Sequence, residues 1–266
     1  MRVLTGLMSL LMVGGSVVIV SAADGPWKLS GMLGATYNST SVTENWQGPE
    51  KNTQSWSANL NASAEQDTVM TNWLSTLTEQ YGTTQTAGTN ALTNADLIDL
   101  DSVYTFKLGH FLNPYLGFIA TTQNWKFLNP VTYTESIGDG FWLIKKPEQE
   151  LRTRFGLAFR QVYQDNPEIP IVGAVSHQTG AEWNTNYMVA LNPNTKLESE
   201  ARLFSAFDGG DDMWWNNSLY FKLSSLITMQ LNYLWIYNYN MIPHPVWPQD
   251  SERRFSVIFG FAYNLF

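Results

Sequence analysis

Large apolar side chains recur at every second position along most of this chain, with small or polar residues between them. Successive side chains of a β-strand point to opposite faces, so a period of two specifies strands with one apolar and one polar face. In WSANLNASAE, Trp56, Ala58, Leu60, Ala62 and Ala64 alternate with Ser57, Asn59, Asn61, Ser63 and Glu65, and nothing there fits a helix. The last stretch, RRFSVIFGFAYNLF, sets Phe255, Val257, Phe259, Phe261, Tyr263 and Leu265 against Arg254, Ser256, Ile258, Gly260, Ala262 and Asn264.

The pattern predicts twelve strands, near 27–38, 54–65, 69–81, 96–108, 113–124, 132–145, 150–163, 179–191, 195–207, 213–223, 226–239 and 253–265. Every other connection is short: EQDT (65–68), GHFLN (109–113), KPEQ (146–149), NPN (192–194) and SS (224–225). The rest are mostly longer, at about 41–53, 82–95, 125–131, 164–178, 208–212 and 240–252. Short turns at one end and long loops at the other is the plan of an outer-membrane barrel with periplasmic turns. An even strand number puts both termini at the periplasmic end.

Alternation alone fits a soluble β-sandwich equally well, because its apolar faces meet in a core. Strand length and aromatic placement separate the two. Strands of about 11 to 14 residues exceed the usual 5 or 6 of globular sheets and suit a tilted bilayer crossing. Aromatics gather toward strand ends, as Trp27 with Tyr37 and Tyr104 with Phe106 do, where rings with one polar atom favour the membrane interface. The expected fold is an all-β, closed, antiparallel up-and-down transmembrane barrel.

Composition agrees. Only 14% of residues are charged, against roughly 25% in ordinary soluble domains. Arg2, the apolar run Val3–Val20 and the small residues Ser21–Ala23 read as a secretory leader over 1–23, leaving 24–266 as one barrel domain. Without the leader's one arginine, 14 basic face 23 acidic residues, a charge of -9, which excludes nucleic acid as the expected partner. With no cysteine there is no disulfide framework, thiolate nucleophile or lipoprotein anchor.

The leader, long polar strands and aromatic final strand resemble Gram-negative outer-membrane β-barrels. More narrowly, WKLSGMLGATYN, SWSANLNASAEQ and FLNPVTYTESIGDGFWLIKKPEQELRTRFGLAF are similar to a barrel family known as a domain of unknown function and related to salt-induced outer-membrane proteins. The resemblance implies a barrel and no activity. It also implies that Phe266 is the signal read by the barrel-assembly machinery, although Leu265, not Phe266, continues the lipid-facing register.

Charged residues at inward positions are Asp99, Asp101, Lys107, Arg152, Arg154, Arg160, Glu182, Lys196, Glu198, Glu200, Arg202, Lys222 and Arg254. Facing lipid, basic ones among them would cost about 2 to 4 kcal/mol at the midplane. Two arrangements are open: cross-strand ion pairs that fill the barrel, or a water path with Arg152, Arg154 and Arg160 on one wall and Glu198 and Glu200 opposite. The functions expected are accordingly a structural envelope protein or a narrow channel for a small solute, held in outer-membrane lipid, without cofactor or metal. An outer-membrane lipid-acting enzyme and a secreted carbohydrate-binding sandwich are the alternatives. His110, His177 and His244 are scattered and no Gly-x-Ser-x-Gly elbow occurs. FDGGDDMWW (207–215) has carboxylates around a Gly-Gly turn but not the spacing of a calcium loop.

Overall fold

The computed structural model describes residues 26–40, 52–109, 112–124, 130–164, 174–225, 227–238 and 252–263. Twelve strands are present: β1 (Trp27–Thr40), β2 (Thr53–Asp67), β3 (Thr71–Thr86), β4 (Leu92–Phe106), β5 (Pro114–Thr122), β6 (Val131–Lys146), β7 (Gln149–Gln164), β8 (Ala174–Asn192), β9 (Thr195–Ala206), β10 (Asp211–Lys222), β11 (Ile227–Asn238) and β12 (Glu252–Tyr263). Each pairs antiparallel with its neighbours in sequence, and β12 closes on β1. Closure removes the sheet edges that lipid would leave without hydrogen bonds.

Strand ends match the expected ones to within about two residues except at β8, which begins at Ala174 where 179 is expected, and at the β3–β4 hairpin. The predicted 82–95 loop is mostly strand, and only residues 87–91 connect β3 to β4. Thr83, Thr84, Gln85 and Thr86 are polar, but threonine suits an extended backbone, so the ladder continues past the apolar stretch. The hairpin turns at Gly88, whose φ of 82° belongs to the left-handed region. Gly209 and Gly210, at φ 102° and 107°, likewise make FDGGDD a turn between β9 and β10.

The alternation resolves into an apolar outside. Phe155, Leu157 and Phe159 on β7, and Phe255, Val257, Phe259 and Phe261 on β12, are exposed on the outer face. So are Leu116, Ile137, Trp183 and Trp215 on other strands. Apolar exposure on this scale is far beyond what a soluble monomer carries, and hydrocarbon is the surrounding that matches it. The sandwich alternative, with those side chains packed against a second sheet, is excluded by the single closed sheet.

The inside is filled. Each of the twelve strands contributes a buried residue, among them Met32, Asn59, Gln80, Tyr115, Thr134, Arg154, Glu182, Phe204, Tyr220, Gln230 and Ile258. Met32, Tyr220 and Ile258 form an apolar plug beside the β1/β12 seam. Gly34 makes room for it, since a Cβ there would lie 2.4 Å from Ile258 Cγ2. Beside this plug, Gln230 donates to Ser218 (2.9 Å) and Asn232 to Asn216 (2.6 Å), while the Gln230 Oε1 is buried without a hydrogen bond among the described residues.

Candidate functional site

The interior charges meet in one network at mid-height. Arg202 on β9 donates from Nη1 to Asp99 Oδ2 on β4 (2.7 Å) and from Nε to Glu200 Oε1 (2.8 Å), and its Nη2 is 3.7 Å from Asp101. Arg154 on β7 donates through Nη2 to both oxygens of Asp101, at 3.1 and 2.9 Å. Its Nε lies 3.5 Å from Glu182 Oε1 on β8. Glu182 is held by Tyr115 Oη (2.8 Å) and Ser136 Oγ (2.7 Å), and Asp99 accepts Thr121 Oγ1 (2.7 Å). The two arginines are sandwiched further by rings, Arg202 over Trp214 (4.5 Å) and Arg154 over Tyr115 (5.7 Å). β4 is three strands from β7 and five from β9, so these contacts cross the lumen instead of running along its wall.

A second crossing lies nearer the long loops, where Arg160 on β7 pairs with Asp212 on β10 and its guanidinium carbon sits 3.8 Å from the Phe204 ring centre. Ala158, Phe204 and Ala206 pack beneath it.

Of the remaining residues expected inside, Lys107, Lys196, Glu198 and Lys222 are toward the short-turn end and Arg254 is toward the long loops. Lys107, just past β4, reaches Asp67 and the Thr68 carbonyl (2.6 Å). Lys196 pairs with Glu198 at 2.7 Å, and Lys222 is exposed at the end of β10. Arg254 lies opposite Leu234 in register, its side chain outside the described residues. Tyr263 is the last residue of β12, and its side chain, with Leu265 and Phe266, also lies outside them, as do residues 1–23, His110 and His244. His177 is on the outer face, stacked on Phe159 at 5.7 Å.

The expected basic wall facing an acidic wall does not form. Arg152, Arg154 and Arg160 share β7, but Glu198 and Glu200 are on β9, only two strands away, so they flank the arginines instead of opposing them. The opposing carboxylates are Asp99 and Asp101. Of the charged set, Asp99, Asp101, Arg154, Glu182, Glu200 and Arg202 come together, and Arg152 adjoins them without a hydrogen bond or ion pair among the described residues.

Sequence reasoning missed Tyr115, Ser136, Asp212 and the apolar plug. The signal for the plug was available: Ile258 sits in the polar phase between Ser256 and Gly260, and an apolar residue out of phase in a barrel strand packs inside. Nothing local marks Tyr115 or Ser136, whose roles depend on Glu182 three and two strands away.

Among the described residues, no group of three His, Asp or Glu is placed to hold a metal ion, and no helix is long and apolar enough to cross a membrane. In comparisons with solved structures the chain is similar to the NanC porin (11% identity, TM-score 0.45, covering 87% of this chain and 98% of that one). It is similar also to the translocator domain of autotransporter NalP from Neisseria meningitidis (10%, 0.41, 90% and 87%). A third is the COG4313 outer membrane channel from Pseudomonas putida F1 (9%, 0.40, 89% and 93%). Scores this low carry no functional inference. No curated protein matches the chain. The model of the family described as "Protein of unknown function, DUF481" matches residues 47–261, most of the length, and the chain belongs to that family.

Proposed function

We propose that this protein is an outer-membrane barrel whose lumen is closed at mid-height, a structural component of the envelope and not an open pore. The observation that supports this reading is the Asp99–Arg202 bond at 2.7 Å across five strands, with Asp101 and Arg154 bonded beside it. A water path through that plane would require two buried ion pairs to part together, and separating such pairs leaves charges unpaired at several kcal/mol each.

The outer membrane as location, the short-turn end as periplasmic, the leader over 1–23, kinship with salt-induced outer-membrane proteins and Phe266 as the assembly signal are parts of the same proposal. So is a non-catalytic role: His177 stacks on Phe159 on the outer face, away from the buried hydroxyls and carboxylates a hydrolase would recruit. Fractionation together with heat-modifiable migration on a gel tests the location. For the closed lumen the test is purified protein in planar bilayers. No steady single-channel steps are expected, and steps whose ion selectivity changes in Arg154→Glu would establish a channel instead.

A further inference from the structure

β1 and β12 both continue as strand toward the long loops, yet they are laddered to each other only from Gly31 opposite Tyr263 to Ala35 opposite Phe259. Beyond that level β1 stays paired with β2 through Thr40, and β12 with β11 through Glu252. Each therefore keeps one edge without a strand partner among the described residues. We infer that this open half of the seam takes the phosphate head of an anionic lipid from the outer leaflet, with Arg253 as its charged contact. The inference rests on the outer-membrane location proposed above and not on the closed lumen.

The backbone carries the first part of the argument. In an antiparallel sheet alternate amides of Thr36–Thr40 and of Glu252–Val257 are directed across the seam, and hydrocarbon offers them no acceptor. Phosphate oxygens do, because each accepts more than one N–H bond and carries charge, and hydroxyls of the same head serve the carbonyls between. Ser256, half-buried in the inward phase at this level, adds a hydroxyl with no hydrogen-bond partner among the described residues.

Charge and depth point the same way. Arg253 is exposed and forms no ion pair among the described residues. It stands opposite Trp235, whose ring lies 6.5 Å from that of Trp215, and Trp215 lies 6.4 Å from Tyr233. Such aromatic clusters sit at the membrane interface, so the guanidinium is at headgroup height, where a phosphate matches it. Below it Phe255, Val257, Phe259 and Phe261 are exposed in a row, an apolar track for the acyl chain of the same molecule. A second copy of this chain fits less well, because a two-fold contact at the seam would set Arg253 against its own mate.

The experiment uses the mature protein folded in non-ionic detergent micelles, with residue-resolved hydrogen exchange in the presence of phosphatidylglycerol, phosphatidylcholine or inorganic phosphate. Phosphatidylglycerol at about ten times its dissociation constant should slow the seam-facing amides of Thr36–Thr40 and Glu252–Val257 about tenfold. Phosphatidylcholine and inorganic phosphate should leave them unchanged. Arg253→Gln should lose the effect, and Lys222→Gln, at the opposite end of the barrel, should keep it. The chain has no cysteine, so Tyr37→Cys with Val257→Cys, opposite each other were the ladder to continue, can lock the seam. The oxidised form should no longer retain radiolabelled phosphatidylglycerol, and the reduced form should. Equal protection by phosphatidylcholine, by inorganic phosphate or in Arg253→Gln overturns the site, as does retention by the locked form. Protection that rises with protein concentration without lipid overturns it in favour of a second copy. A conducting barrel with an intact phosphatidylglycerol response would overturn the closed lumen alone.

Discussion

Arg202 on β9 reaches Asp99 on β4 at 2.7 Å, bonding two strands that stand five apart around the barrel. Both side chains are nearly excluded from solvent, and Arg202 is also the partner of Glu200 and a neighbour of Asp101. Removing it leaves Asp99 and Glu200 without a cationic partner among the described residues and Asp101 with Arg154 alone, whereas removing Asp99 leaves Arg202 with two carboxylates. Arg202→Met should therefore destabilise the barrel by about 3 to 5 kcal/mol, and Asp99→Asn by less, with the double substitution less damaging than the sum. Urea unfolding of the four proteins in micelles completes the cycle; additive losses would mean that the pair is not coupled.

Three outward tryptophans repeat one arrangement on different strands. The indole N–H of Trp73 donates to Ser102 Oγ (3.0 Å), that of Trp183 to Thr153 Oγ1 (2.8 Å) and that of Trp215 to Ser199 Oγ (3.0 Å). In lipid no water can take those protons, so a hydroxyl on the adjacent strand does. Thr153→Val should cost about 1 kcal/mol in phospholipid vesicles. The loss should shrink in micelles, where water reaches the belt, and equal losses in both would argue against a hydrocarbon setting for Trp183.

The barrel was legible because a period of two is a property of each strand by itself. Phe255 and Arg154 declare their faces within a few residues, and bilayer thickness fixes the strand length. The network was legible only in membership, since inward phase identifies Asp99, Asp101, Arg154 and Arg202 but not who bonds to whom. Partnership is set by position around the circumference, where β9 stands two strands from β7 and five from β4, and no stretch of sequence carries that. The β3–β4 hairpin was misjudged because Thr83 to Thr86 have lost the apolar phase while keeping the backbone preference.

Gly34 and Ile258 share one small volume inside the β1/β12 seam. A Cβ on Gly34 would meet Ile258 Cγ2 at 2.4 Å, so Gly34→Ala overpacks the plug and should cost about 1 to 3 kcal/mol. Ile258→Ala empties the space and should cost about 2 to 5 kcal/mol. The two changes oppose each other, so Gly34→Ala with Ile258→Ala should be more stable than Ile258→Ala alone. Urea midpoints decide it, and a double variant worse than either single one would show that the seam, not the plug, is what Gly34 serves.

The seam itself is unevenly tied. β1 pairs with β12 from Gly31 opposite Tyr263 to Ala35 opposite Phe259, whereas its ladder with β2 runs from Trp27 to Thr40. Beyond Ala35, toward the long loops, β12 keeps its partner β11 through Glu252 but has no register pair with β1 among the described residues. Unpaired backbone groups open first, because no ladder hydrogen bond must break before exchange. Those amides of Glu252–Val257 that face β1 should exchange with deuterium at least tenfold faster than the seam amides of Leu33 to Ala35. Residue-resolved exchange in micelles measures this, and uniform protection along β12 would mean that the seam is closed over its full height.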